Sequence, residues 1–214
     1  MSPVAVAAGT DVAGLWVATL QRAIGRASHD VKDALNGVSV NVEVIRSRAA
    51  RPDVVAAAVA PFAEAAGHQV ERLTRLIEAV LALARAERDP ADVALALQRI
   101  AIVCGASSSN ADASVEVHEA REELELGTLT RVPGAVVRLA LLAPLLAAVT
   151  GEDRAPGLSP VTCLVGGGAS SVTVRLHAEG RRLGMPDDVV AAVRSGAEVV
   201  TEESQDLSLA FPRA

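Results

Sequence analysis

Residues 20–45 read LQRAIGRASHDVKDALNGVSVNVEVI, and the spacing of the apolar residues in this stretch decides the fold. Leu20, Ile24, Ala27, Val31, Leu35, Val38, Val42 and Ile45 recur at steps of three and four, the seam of a helix that packs in a bundle or coiled coil. The pattern predicts a helix from about Val12 to Ala50. Arg51-Pro52-Asp53 ends it, because proline disfavours helix at the preceding residue and Asp53 can cap a new one. A second stripe of Val55, Val59, Phe62, Ala66, Leu73, Ile77, Val80 and Ala84 runs from Val54 to about Glu87. Pro61 either bends this helix or marks its start. Each helix would hold about 30 to 35 residues, roughly 50 Å of rise. Two such helices joined by a short turn form an antiparallel hairpin. A lone hairpin cannot bury both stripes, so a homodimer that closes a four-helix bundle is expected.

After Arg88-Asp89-Pro90 the period changes. Ala91 to Ala106 reads as a helix, Ser107 to Asp112 as a polar loop, and Ser114 to His118 as a strand, with Leu124 to Leu129 a candidate for another. Pro133 to Val149 is a strongly apolar helix and Gly151 to Pro160 a loop. Val161 to Val165 and Ser171 to His177 are strands around Gly166-Gly167-Gly168, which reads as a hairpin turn because no helix opens after it. Pro186 to Arg194 is a short helix, and Asp206 to Phe211 a final strand. Helices mixed with mostly antiparallel strands make the class α+β. The expected organisation is a tail over 1–11, a helical hairpin over 12–88 and a second domain over 89–214.

Half of the 214 residues are hydrophobic and only 1% aromatic, so Ala, Val and Leu must fill the core, which suits closely approaching helices. The net charge of -6 argues against nucleic acid as a partner, since that requires a basic surface. Cys104 and Cys163 lie in apolar contexts and read as buried free thiols rather than as a disulfide or metal pair. No metal ligand set of the zinc-knuckle kind is present. Residues 1–9 lack a basic start and no run reaches 18 uninterrupted apolar residues, so a cytoplasmic protein without a membrane span is expected.

Within the first helix, His29 falls off the apolar seam, on a face shared with Arg22, Gly25, Arg26, Lys32, Asp33 and Asn36. It should point to solvent from the side of a rigid bundle, with Gly25 leaving open space beside the ring. Phosphoryl transfer needs a neutral imidazole nitrogen, and Arg26 and Lys32 would keep the ring neutral. The same cations can attract phosphate oxygens, and Asp30 can hold one ring N–H and so choose the attacking nitrogen. Positioning and charge stabilisation do most of the work in such a step. An exposed histidine on a charged helix face is also the ordinary surface case, and His68, His118 and His177 read that way.

Ser28-His29-Asp30-Val31-Lys32-Asp33-Ala34-Leu35-Asn36 resembles the H-box of sensor histidine kinases, Ser-His-Glu/Asp-hydrophobic-Arg/Lys-Thr/Asn-Pro-Leu. His29 falls on the phospho-acceptor, Asp30 on the adjacent acid and Lys32 on the basic position, while Asp33 and Ala34 depart from Thr/Asn and Pro. Gln69 to Ile77 is similar to the second helix of the same dimerisation module. The second half resembles the family's ATP-binding domain in the order of its elements, which implies a degenerate GHKL-type α/β sandwich. Leu141 to Val149 resembles the N-box helix, with Ala143 and Ala147 where that box has its asparagines. Val174 to Leu183 resembles the segment reaching Asp-x-Gly-x-Gly, with Ala178 in place of Asp, Gly180 kept, and Arg182 in place of the second Gly. Alanine can neither ligate magnesium nor accept a hydrogen bond from adenine. The resemblance therefore implies no ATP, no cofactor and no autophosphorylation.

An H-box beside a lost ATP site resembles the bacterial histidine phosphotransferases, dimers that relay phosphate between aspartates of response-regulator receiver domains. It implies His29, Asp30 and Lys32 as catalytic residues and Arg22, Gly25, Arg26, Asp33 and Asn36 as receiver contacts, with Gly37 and Val38 extending that surface. A non-catalytic scaffold that binds a response regulator or a kinase is the alternative, supported by the departures at Asp33 and Ala34. A divergent ATP-dependent kinase is the third reading.

Overall fold

The computed structural model describes residues 11–51, 55–85, 90–105, 115–120, 127–150, 159–194, 196–203 and 205–214, the side chains of 199–203 excepted. Its first helix, α1, runs Val12–Ala49 without interruption. The Asp11 carboxylate accepts from the Gly14 amide at 2.9 Å, satisfying one of the first turn's orphan donors. Arg46 and Arg48 in the last turn face the negative end of the helix dipole. A 3-10 turn, Ala56–Ala58, leads into α2, Ala60–Ala84. Pro61 sits in the first turn of α2, where its missing amide costs nothing. It therefore marks the start of the helix, and α2 has 25 residues instead of the expected 30 or more. Arg48 ties the connection together: Nη1 donates to the Ala58 carbonyl at 2.7 Å and the guanidinium lies 4.5 Å over the Phe62 ring. The cap expected at Asp53 and the boundary at Arg88-Asp89 fall outside the described residues.

The expected seam of α1 divides in two. Trp16, Leu20, Ala23, Ala27 and Ala34 are buried, whereas Ile24, Leu35 and Val42 of the expected stripe are exposed. On α2, Leu73, Leu76, Ala79 and Leu83 are buried and Ile77 is 51% exposed. The inner faces are rich in alanine because α1 and α2 approach closely; the larger residues left outside form a second stripe.

Past the hairpin, β1 (Ala91–Asp92) pairs antiparallel with β3 (Leu129–Thr130), and α3 follows over Val93–Gly105. The Asp92 carboxylate accepts from the Leu95 amide at 3.0 Å and from the Thr128 hydroxyl at 2.6 Å, capping α3 and holding the approach to β3. β2 covers Val115–Glu119, α4 Gly134–Thr150, β4 Val161–Gly167, β5 Ser171–His177, α5 Asp187–Val193, β6 Glu198–Glu203 and β7 Asp206–Pro212. Five strands form one sheet in the order β2-β4-β5-β7-β6. The class is α+β, as the sequence pattern indicates.

Two local differences have physical causes. β2 pairs parallel with β4, because α4 lies between them in sequence and supplies the crossover that parallel pairing needs. β6, Glu-Val-Val-Thr-Glu-Glu, was not expected; it lacks apolar alternation and sits at the sheet edge, with a register irregularity against β7 between Thr201 and Glu203. Of the candidate strand at Leu124 to Leu129, Leu129 is in a strand and 124–126 lie outside the described residues, as do the loop expected over 107–112 and residues 151–158 of the loop expected over 151–160. Gly166 to Gly168 form the turn from β4 to β5, closed by the Gly168 amide donating to the Ser171 carbonyl at 3.1 Å.

The core is continuous from hairpin to sheet. Trp16, Leu20, Ala23 and Ala27 of α1 and Leu76, Ala79 and Leu83 of α2 belong to the same buried cluster as α3, α4 and the inward faces of β4, β5 and β7. α4 is the hub: Val136 to Leu146 is buried all round, with α1 on one side and α3 and α5 beside it. Arg138 of α4 is buried and joins the parts. Its Nε donates to the Gly134 carbonyl at 3.1 Å, and Nη1 donates to the carbonyls of Leu83 at 2.8 Å and Arg85 at 2.9 Å. Its guanidinium lies 5.2 Å from the Trp16 ring centre. α2 has no basic residue in its own last turn, so Arg138 brings the cation that its C-terminal carbonyls favour.

Cys104 and Cys163 are both buried free thiols. Burial pushes each from 9.0 up to about 12; the Arg26 charge opposes this at Cys104, and Cys104 adds to it at Cys163. Above pH 9 the unfolded thiols lose protons that the folded ones keep, so stability falls as pH rises from 9 towards 12, by up to about 1.4 kcal/mol per pH unit for each thiol. The chain has no tyrosine and a single lysine, Lys32, which leaves this window to the cysteines. Urea unfolding from pH 8 to 10.5 should show the decline in the native protein and a flatter profile in Cys104→Ala/Cys163→Ala; parallel profiles would contradict the assignment.

Candidate functional site

α1 is unbroken through Ser28 to Asn36. With Ala34 standing where the H-box has proline, every residue here keeps its 100° step around the helix. Ala23, Ala27, Asp30 and Ala34 are buried against α2 and the second half, and His29 is exposed on the opposite side. Arg22, Gly25, Lys32, Asp33 and Asn36 are exposed around it. A Cβ built on Gly25 would meet nothing within 4 Å, so the approach to the imidazole from the preceding turn is open. The Ser28 hydroxyl donates back to the Gly25 carbonyl at 2.6 Å and stays out of that space.

Two expected partners of His29 point elsewhere. Asp30 is 8% exposed, on the buried side of α1; among the described residues the His29 ring has no hydrogen bond. Arg26 is half-buried, and its charge acts on Cys104 of α3. The exposed cations on the His29 face are Lys32, one turn on, and Arg22, two turns back. Gly37, expected as partner surface, is covered: a Cβ there would come within 2.5 Å of the Gln69 carboxamide on α2. It serves the packing of the hairpin.

The other histidines differ in their neighbours. His118 Nε2 lies 3.6 Å from Glu116, and His177 Nδ1 lies 2.8 Å from Asp206, across the register pair of β5 and β7. A carboxylate at that distance repels an anionic phosphoryl donor. His68 is exposed on α2, with Glu64 and Glu71 at helical-neighbour spacing.

The second-half positions likened to the nucleotide motifs lie among the described residues. Ala143 is buried and Ala147 half-buried on α4, and Ala178 is fully buried at the end of β5. None brings an oxygen. Gly180 has φ 68°, so its retention follows from a left-handed turn. The next residue, Arg181, is buried and donates to the Ser159 carbonyl, while Arg182 is exposed. Among the described residues no cluster of His, Cys, Asp or Glu could hold a metal ion.

Two concave surfaces adjoin α1. A groove of about 340 Å³ runs between the helices of the hairpin, lined by Ile24, Ala27, Ser28, Val31 and Lys32 of α1 and Leu76, Ile77, Val80 and Leu81 of α2. The Lys32 stem lies along this groove on the flank of the His29 face, as long charged side chains can. The exposed Val17, Ile24, Leu35 and Val42 on α1, and Val70, Ile77 and Leu81 on α2, continue the apolar surface along both helices. The second surface is a cleft of about 350 Å³ lined by Arg22 of α1, Ala143, Leu146, Ala147 and Thr150 of α4, and Pro186. Sequence reasoning placed Arg22 on the His29 face but missed α4 and Pro186, which no spacing in the sequence links to it. No helix among the described residues is long and apolar enough to cross a membrane.

No family model matches the chain, and no curated protein matches it. Among solved structures the chain is similar to the histidine kinase AdeS of Acinetobacter baumannii, at 13% identity and a TM-score of 0.44, over 86% of this chain and 97% of that one. It is also similar to a bacterial phosphotransferase, at 16% identity and a TM-score of 0.42, over 98% of this chain and 99% of that one.

Proposed function

We propose that the protein is a histidine phosphotransferase that carries phosphate on His29 between aspartates of response-regulator receiver domains, without ATP. The observation that carries this reading is the His29 face: an exposed imidazole on an unbroken helix, open above Gly25, with Lys32 one turn on, Arg22 two turns back, and no hydrogen bond among the described residues to hold it. In the forward step a neutral ring nitrogen attacks phosphorus, the N–P bond forms as the P–O bond to the donor aspartate breaks, and the aspartate leaves as carboxylate. Lys32 stabilises the equatorial oxygens, and the reverse step returns the phosphoryl group to a second receiver. Asp30, buried on the inner face, acts by holding α1 in place.

The working unit is a homodimer in which a second copy covers the apolar groove, completing a four-helix bundle with the His29 faces outward. Ile77 lines that groove and is half exposed in the single chain. Burying an unpaired carboxylate there is strongly unfavourable, so Ile77→Glu should convert the dimer to monomer in sedimentation equilibrium while keeping the native circular dichroism. A dimer that persists would place the interface elsewhere.

The transfer itself is tested by incubating the protein with each purified, phosphorylated receiver domain of the same genome. At least one should pass on an acid-labile, alkali-stable label that mass spectrometry maps to His29. If binding occurs without transfer from any of them, the molecule is a scaffold, the reading favoured by the inward turn of Asp30. Magnesium-ATP alone should give no label.

A further inference from the structure

We infer that Lys32 is an acylation site that turns phosphotransfer down: the acyl phosphate of a short aliphatic acid acylates its amine and removes the charge one turn from His29. The inference rests on the phosphotransfer reading and goes beyond it, since that reading gives Lys32 no covalent chemistry of its own.

Composition singles the residue out. Among the 20 lysines and arginines of the chain, Lys32 is the one lysine. Guanidinium groups stay protonated and do not acylate. The chain has no tyrosine, both thiols are buried, and an acyl group on imidazole is short-lived in water. Lys32 is therefore the only side chain of this sequence on which an amide-linked acyl group forms. The structure leaves its amine open. Lys32 is exposed on the unbroken α1, and among the described residues it has no hydrogen bond or ion pair. Its neighbours at three and four positions are Ser28, His29, Leu35 and Asn36, so no carboxylate stands one turn away to hold the ammonium. Across the groove its stem meets the apolar Leu76, Ile77, Val80 and Leu81 of α2. Phosphotransfer requires the ammonium to reach the group on His29, so this end stands clear of a second copy seated on the groove.

The reagent follows from the phosphoryl donor. An aspartyl phosphate is a mixed anhydride with two electrophilic atoms, phosphorus and the acyl carbon, and a small acyl phosphate belongs to the same class. Its negative charge is drawn to the exposed cations Lys32 and Arg22. His29 and Lys32 are three residues apart on one helix, with Cβ atoms about 5 to 6 Å from each other. The imidazole attacks phosphorus in the proposed transfer, and the acyl carbon is left to the amine. The unprotonated Lys32 nitrogen attacks that carbon. The C–N bond forms as the C–O bond to phosphate breaks, inorganic phosphate leaves, and the amine's proton passes to water. The product is a neutral amide, and the charge that stabilises the equatorial oxygens is gone.

Acetyl phosphate is the probe. Phosphoramidate, which phosphorylates histidine directly, serves as a donor that carries no acyl group. Mass spectrometry should map the acetyl group to Lys32 in the native protein and in His29→Gln. Phosphate uptake by acetylated native protein should slow by about tenfold or more, both from the receiver domain that exchanges fastest and from phosphoramidate, with sedimentation equilibrium unchanged. Untreated Lys32→Gln, which carries an uncharged amide, should be slowed to the same extent. Lys32→Arg keeps a charge and has no amine to acylate, so its rate should be the same before and after treatment. A Lys32 that stays unmodified under conditions that acetylate the urea-unfolded chain would overturn this inference alone. So would acetylation that leaves both rates unchanged, a loss that Lys32→Arg shares, or a loss that tracks dissociation of the dimer. Failure of every receiver to exchange with the native protein would overturn the phosphotransfer reading and this inference with it.

Discussion

Exchange of His29 for glutamine is expected to abolish phosphate uptake, from a receiver domain and from phosphoramidate alike, in a protein that is otherwise native. The chain has four histidines, and exposure does not distinguish them: His68, His118 and His177 are exposed as well. Their surroundings do. His118 and His177 face carboxylates at 3.6 and 2.8 Å, whereas His29 has open space over Gly25 and the cations Arg22 and Lys32. Two separate measurements follow. Transfer should fall below detection, because no other group at this position can form the N–P bond. Stability should change by no more than about 0.5 kcal/mol, the usual range for an exposed helix position with no special contact. Label that survives in His29→Gln would end the assignment. Asp30→Ala should separate the roles of neighbouring residues. Asp30 is buried, so its loss should lower the melting temperature and slow transfer only as far as α1 is disturbed. A specific collapse of transfer at native stability would restore it as the group that orients the ring.

Arg138→Ala is expected to produce the largest loss of stability, about 3 to 5 kcal/mol. The change leaves the carbonyls of Leu83 and Arg85 without their donor in a largely buried joint. Each buried acceptor that loses its partner costs on the order of 1 kcal/mol or more, and the vacated stem adds a cavity. For a chain of this size each kcal/mol is worth roughly 2 to 4 °C in Tm, so a fall of about 6 to 20 °C is expected. Arg138→Lys should recover part of this, because it keeps the charge at the end of α2 but cannot reach three carbonyls with a planar fork. Trp16 is the only tryptophan and lies against this guanidinium, so its fluorescence reports the joint directly. A loss under about 0.5 kcal/mol would show that apolar packing alone holds hairpin and second half together.

Much of this architecture is written in local pattern. The three-and-four spacing from Leu20 to Ile45, the apolar run of α4 and the alternation of β4, β5 and β7 each depend on residues close in sequence, where periodicity and turn chemistry act. His29 was legible for the same reason: its place opposite Ala27 and Ala34 follows from the helical step alone. β6 was not, because an edge strand with a mixed, charged composition is specified by its pairing with β7 rather than by its own residues.

The sequence by itself determined the α+β class, the two long helices and the side of α1 on which His29 stands, since these depend on the helical repeat and on proline and glycine geometry. Only the tertiary structure decided which apolar residues of α1 are inside, that Asp30 is buried, that Arg138 caps the end of α2, and that α4 forms a cleft with Arg22. Those outcomes depend on how closely two helices approach and on contacts between residues more than fifty positions apart. A residue's own neighbours in the chain carry no record of such contacts.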